Sequence, residues 1–354
     1  MSPLSHRPLH RRAAALGVAV ALLLSGCASS GEADLAASDE APTAGRTATG
    51  DGETATESPQ ETTYPLVRDN CGFDVTVDSA PERVVTIKSS TFEMLLSLGL
   101  GDRVVGAAFL DGPVPDELAA QAAEVEILSD RAPGQEAVLS IEPDLVYAGW
   151  ESNFSAESAG ERSALANLGV ATYVSPSACK AEGYKPDPLT FDGVFDEILE
   201  AGEIFGVRET AGDLVESQRA ELAELDAEPL GISALWYSSG DDVPYVGAGI
   251  GAPQMIMDAV GLTNIAGDVR DTWTAFGWEQ VVAEDPDVIV LVDAAWNTAE
   301  SKKAALEGNP ATAGLTAVQE ERYLTIPFAA TEAGVRNVAA AQDLAAQLAG
   351  LDLG

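Results

Sequence analysis

The chain has 354 residues, a formal net charge of -38 and two histidines, His6 and His10. So acidic a chain repels nucleic acid and anionic headgroups, and neither is expected as a partner. Both histidines fall in a segment read below as removed. What remains lacks imidazole, which excludes Ser-His-Asp and Cys-His nucleophile pairs and the usual zinc sites while leaving carboxylate chemistry open.

Arg7, Arg11 and Arg12 precede an apolar stretch, Ala13 to Leu24, about half of the ~20 residues that cross a bilayer. Leu24-Ser25-Gly26-Cys27 resembles a lipobox, so residues 1–27 read as a lipoprotein signal peptide and Cys27 as the lipidated N-terminus. Losing three arginines moves the formal charge from -38 to -41. Two acyl chains suffice for stable anchoring. The expected location is the outer face of the cell membrane, with the lipid as the only membrane contact. Residues 28–63 are rich in Ala, Ser, Thr, Glu, Asp and Gly and read as a disordered acidic tether, roughly 30 to 36 Å end to end. Cys71 and Cys179 remain as an even pair in an oxidising compartment, where a disulfide is the expectation.

The remaining residues exceed one compact core and suggest two lobes. In chain order, strands are expected at Arg83–Ile87, Val104–Ala108, Asp144–Ala148, Ala171–Val174, Ile232–Tyr237, Val288–Val292 and Tyr323–Ile326. Helical patterns alternate with these short apolar runs, which predicts an α/β fold: two similar lobes with mainly parallel sheets joined by a long connecting helix. Thr190 is an N-cap candidate ahead of Phe191, Phe195, Ile198, Gly202 and Phe205 at helical spacing, and Leu214, Val215, Leu222 and Leu225 continue the pattern. The division is an N-lobe at 64–188, a helical connector at 189–228 and a C-lobe at 229–354.

Two segments repeat. Glu136-Ala-Val-Leu-Ser-Ile-Glu-Pro143-Asp144-Leu-Val returns as Glu279-Gln-Val-Val-Ala-Glu-Asp-Pro286-Asp287-Val-Ile, a glutamate opening a short helix and Pro-Asp opening the next strand. Met94 to Leu100 is echoed by Met255 to Leu262.

Glu82-Arg83-Val84-Val85-Thr86-Ile87, Met94 to Gly106, Glu142-Pro143-Asp144-Leu145-Val146 and Pro286-Asp287-Val288-Ile289 together resemble the class III solute-binding proteins of iron-siderophore and cobalamin importers, over about residues 64 to 354. The resemblance implies two rigid lobes, a shallow groove between them and slight closure on the ligand. It also implies one glutamate per lobe facing arginines of an ABC permease, itself driven by an ATPase; Glu136 and Glu279 hold those positions. Each carboxylate also complements its own helix N-terminus. Gly249 to Met255, Thr190-Phe191-Asp192 and Trp296-Asn297 are similar to an actinobacterial subgroup proposed to import the phosphorylated precursor of the deazaflavin coenzyme F-420.

Ligands of α/β units gather beyond the carboxyl ends of parallel strands. All five tryptophans lie in or beside such segments. Trp150, Trp236 with Tyr237, Trp273 and Trp296 are ligand-binding candidates, and Trp278 staples its helix. Flat aromatic faces there suit a large conjugated or macrocyclic ligand. Lys88, Arg131, Arg270 and Arg336 in the same loops favour anionic groups on it, against the alternative of local salt bridges. Ser89 joins Lys88 at a helix start where Ser90 and Glu93 make a capping box. Gly249 and Gly251, within a run like a dinucleotide fingerprint, read instead as a glycine-lined approach to the ligand. No cofactor or metal is expected, and the protein reads as a monomeric binding component. Two rivals are an exported enzyme with Glu136 and Glu279 as acid and base, and an adhesin without a concave groove.

Overall fold

The computed structural model describes residues 61–225 and 229–353. The signal peptide, Cys27 and most of the tether lie outside the described residues. Thirteen strands are present among them. The first two, β1 (Leu66–Asn70) and β2 (Phe73–Val77), form an antiparallel hairpin. Next come β3 (Val84–Ile87), β4 (Val104–Ala108), β5 (Ile127–Ser129), β6 (Leu145–Ala148) and β7 (Ala171–Val174). They form a parallel sheet in the order β5-β4-β3-β6-β7. Residues of β3 and β6 are buried on both faces, which is why those segments read as near-continuous apolar runs, broken only by Thr86. Cys71, at the turn of the hairpin, is disulfide-bonded to Cys179 beyond β7, with Cα atoms 5.2 Å apart.

The second sheet holds β8 (Ile232–Ser239), β9 (Tyr245–Gly247), β10 (Leu262–Asn264), β11 (Trp273–Ala275), β12 (Val288–Asp293) and β13 (Tyr323–Pro327). Its order is β11-β9-β8-β12-β13, with β10 also paired to β8. The β10, β8, β12 and β13 strands run parallel, whereas β9 and β11 extend the sheet antiparallel. The protein is thus an α/β fold of two lobes with parallel and mixed sheets.

The connector consists of two helices, Phe191–Ile204 and Arg208–Leu222. The expected long helix is interrupted at Gly206, whose φ of +71° suits glycine and reverses the chain. The two helices then pack so closely that a Cβ on Gly202 would lie 2.3 Å from that of Ala211. Thr190 caps the first helix, its side chain accepting from the Gly193 N–H at 3.1 Å. Phe195, Ile198 and Phe205 of this helix join a hydrophobic core that includes Leu145 and Tyr147 of the first sheet and Trp236 and Val290 of the second. One continuous core therefore links the lobes, and separate cores cover the outer face of each sheet.

The sequence repeat has a local cause. Glu142 and Asp285, each preceding the proline, take left-handed φ of 50° and 41°. Each following aspartate then ties down the start of a neighbouring strand. Asp144 accepts from the Glu82 and Arg83 N–H groups at 2.8 and 3.1 Å, and Asp287 from the N–H and hydroxyl of Ser233 at 2.8 and 2.7 Å. The bonds from Ser233 hold the Asp287 carboxyl below the usual carboxylate range.

Candidate functional site

A cleft of about 790 Å³ opens between the lobes at the carboxyl ends of their strands. That is within the ~300 to 1,000 Å³ typical of ligand sites. The first lobe contributes Trp150, Glu151 and Phe154 after β6, and Ser175, Ser177 and Lys180 after β7. The second contributes Ser238 and Ser239, Tyr245, Gly251, Trp273, Trp296, Phe328 and Glu332.

The rings of the second lobe form a connected row. Tyr245 stacks on Trp273 (centroids 6.3 Å apart), Trp273 is parallel to Phe328 (6.5 Å), and Trp296 meets Phe328 edge-on (5.9 Å). Trp296 is 63% exposed. Its tight turn is closed by Ala294 and Asn297 and held from below by buried Lys302, whose ammonium donates to the carbonyls of Val292 and Asn297 at 2.6 and 2.5 Å. Burial pushes that ammonium down to about 8, with Asp293 opposing.

Of the residues singled out in sequence, Trp150, Gly251, Trp273 and Trp296 line the cleft. Trp236 and Tyr237 do not. Their strand runs on to Ser239, so the two serines reach the cleft while Trp236 and Tyr237 lie fully buried on opposite faces of the sheet. Gly249 is also outside the lining, packed where a Cβ would strike the backbone of Gly267. Trp278 sits edge-on to Tyr237, its indole N–H donating to the Asp241 carbonyl at 2.7 Å.

The expected basic mouth is absent from the lining. Arg131 is exposed beside the edge strand β5, too far out in the sheet order to reach the cleft. Arg270 is exposed and pairs with Asp187 at 3.2 Å. Arg336 forms a bidentate pair with Glu93 of the other lobe and donates to the Pro113 carbonyl at 2.7 Å. This takes Glu93 away from the expected capping box; the helix instead begins at Ser89, with no side-chain cap. Lys88 is fully buried beneath the cleft, bonded to Asp111, with its ammonium 3.8 Å from the ring centroid of Trp150 and 5.2 Å from that of Phe328. Its φ of 87° is one that side chains rarely adopt, sustained here by the enclosing ion pair and rings. Buried Ser89 accepts from the Asp111 N–H at 2.8 Å rather than facing a ligand.

Lys180 is the lysine of the lining, and it is committed across the cleft to Asp271 at 3.2 Å and the Thr272 hydroxyl at 2.6 Å. Desolvation raises the Asp271 carboxyl, but bonds from Lys185, the Thr272 N–H and Lys180 outweigh it and hold the group at about 2. Sequence reasoning missed Tyr245, Phe328, Glu151, Lys180 and Glu332. Phe328 follows the carboxyl end of β13, where the rule that selected tryptophans would have found it. Tyr245 lies on a three-residue strand with no hydropathy signal.

Glu136 and Glu279 are exposed in the first turns of the helices Gln135–Leu139 and Trp278–Glu284. Neither lines the cleft. Among the described residues no cluster of candidate metal ligands occurs, and no helix is long and apolar enough to cross a membrane.

The family described as Periplasmic binding protein matches residues 84–330, which include both sheets' parallel strands and the cleft between them. The chain belongs to that family. It is a binding protein and not an enzyme. Among its relatives is an uncharacterized ABC transporter substrate-binding lipoprotein of Bacillus subtilis, 28% identical over 80% of this chain and 85% of the relative. A cobalamin-binding protein of Halobacterium salinarum is 30% identical over 61% of this chain and 55% of the relative. The crystal structure of an ABC-type Fe3+-hydroxamate transport system from Saccharomonospora viridis is 26% identical, with a TM-score of 0.68 over 80% of this chain and 99% of that one.

Proposed function

We propose that this ABC transporter substrate-binding protein captures a large uncharged ligand of the corrinoid type and delivers it to an importer in the cell membrane. The observation that carries the reading is the composition of the cleft: a row of aromatic rings and hydroxyls, two carboxylates, and one lysine already paired with Asp271. A ligand with net negative charge, such as a tris-catecholate chelate or a phosphate monoester, needs a free cation to offset its desolvation, whereas the phosphodiester of a corrinoid is balanced within the ligand. Lys88, Arg131, Arg270 and Arg336 all lie outside the lining, so the lining supplies none. This argues against a catecholate siderophore and against the phosphorylated deazaflavin precursor. The likeness to a cobalamin-binding protein favours the corrinoid among uncharged ligands. Ferric trihydroxamates, also uncharged, are the second reading, favoured by the likeness to the hydroxamate system.

In the same reading Cys27 carries the lipid, and Glu136 and Glu279 meet arginines of the permease from equivalent helices. The test is titration with cyanocobalamin, a ferric trihydroxamate and a ferric tris-catecholate, followed by tryptophan emission and calorimetry. Cyanocobalamin is expected to bind most tightly and the catecholate least; the reverse order would overturn the assignment. For docking, replacing both Glu136 and Glu279 by Arg is expected to abolish uptake and leave ligand affinity unchanged. A loss of affinity would assign them elsewhere.

A further inference from the structure

Glu332 is the carboxyl of the second lobe that lines the cleft, half-buried beyond β13 between Phe328 and Arg336. The cations around it are engaged elsewhere. Lys88 is bonded directly to Asp111, Lys180 to Asp271 and Thr272, and Arg336 to Glu93. The other groups that bear on it are the Asp111 carboxylate, which repels a second negative charge, the Trp150 side chain, whose polar edge favours the charged form, and the hydroxyl of Tyr245. Glu332 is thus a carboxyl in a desolvated place with no cation of its own, at a surface that a ligand would cover.

We propose that Glu332 is a specificity-determining residue of the cleft, receiving an uncharged ligand as the neutral acid and disfavouring it as the carboxylate. The reasoning rests on the uncharged-ligand reading above and adds a proton to it. An uncharged ligand displaces the water that still reaches Glu332 and supplies no compensating charge, so covering the group favours its neutral form. As the acid it donates a hydrogen bond, which matches the carbonyl acceptors of an amide-rich macrocycle. A cationic ligand would reverse the preference and bind the carboxylate. Burial pushes the free protein's group up to about 7, with Lys88 opposing and Asp111 adding to the rise, so the switch falls in the physiological range. The sign follows from linkage: binding that takes up a proton is strongest below the free group's pKa and weakens as pH rises through it.

The test measures cyanocobalamin affinity of the full protein at pH 6 and pH 8. Wild type is expected to bind about tenfold more weakly at pH 8, with proton uptake visible as a dependence of the calorimetric heat on buffer ionisation. Glu332→Gln, which keeps the shape and a hydrogen-bond donor but cannot ionise, is expected to bind with an affinity that does not change between the two pH values. A pH-independent wild type, or a pH dependence that survives in Glu332→Gln, overturns the proposal. A second measurement needs no ligand. Because Trp150 and Glu332 line the same cleft and bear on one another, tryptophan emission of the free protein is expected to titrate near pH 7 and to lose that transition in Glu332→Gln. Absence of a Glu332-dependent transition overturns the proposal even if cyanocobalamin does not bind, an outcome that would separately end the corrinoid reading.

Discussion

The first lobe has a sheet of five strands, all parallel, whereas the second adds the antiparallel pair β9 and β11 to a parallel core. That addition changes the chemistry of the cleft. In the first lobe the ligand side is made of loops and a helix start that follow parallel strands, and these present mainly small and polar groups: Ser90, Glu151, Ser175, Ser177 and Lys180, with Trp150 and Phe154. In the second, β9 and β11 carry Tyr245 and Trp273 directly onto the cleft, where they join Phe328 and Trp296 in one row of rings. The two lobes share a repeated segment yet present a mainly polar side and an aromatic side to the cleft. The shared core and two ion pairs between the lobes, Arg336 with Glu93 and Lys180 with Asp271, join the two sides.

The comparison can be broken most severely through stability. Only the first lobe has a disulfide, and closing its loop of roughly 108 residues contributes about 4 to 5 kcal/mol in the chain-entropy model. Cys71→Ser with Cys179→Ser is expected to remove about that much from unfolding free energy. Hydrogen exchange should quicken first in β1, β2 and β7 and least in β12 and β13; uniform quickening would mean that the shared core makes one cooperative unit.

A smaller pair of effects separates core from cleft within the second lobe. Trp236→Ala is expected to cost about 3 to 5 kcal/mol of stability through the cavity it leaves. Trp273→Ala is expected to cost about 1 to 3 kcal/mol of ligand affinity, in the range of aromatic stacking on bases. Chemical denaturation and ligand titration of both variants test this, and equal losses of stability would remove the distinction. The smallest effect is at Arg270, whose exposed pair with Asp187 lies outside the lining. Arg270→Ala is expected to change affinity by less than about 0.5 kcal/mol at any ionic strength. A loss that grows as salt is lowered would restore an anionic ligand.

Much of this plan was legible in the residues. The seven expected strands are all present, five of them longer or shorter by a residue or two, because each is a parallel strand built mainly of apolar residues, most of them buried. The strands that went unseen, β1, β2, β5, β9, β10 and β11, are short or lie in hairpins and at edges, where one face or one end stays wet and the run is too brief to stand out. In the site, the strand-end rule picked out Trp150, Trp273 and Trp296, which line the cleft. It failed at Trp236, because two further residues of strand separate that ring from the cleft. Charge was the least legible property. The arginines sit in the loops where a ligand clamp was expected, but each partner carboxylate, Asp187 or Glu93, is distant in sequence and becomes a neighbour only through the fold.

The central claim, that an uncharged macrocycle lies against the aromatic row, is tested most directly by the ligand that copurifies from the native host. Native mass spectrometry together with the visible absorption spectrum identifies it. The expected result is a single bound molecule with the mass and absorption of a corrinoid, released by denaturation. A ferric catecholate or a phosphorylated flavin-like molecule in its place would contradict the account.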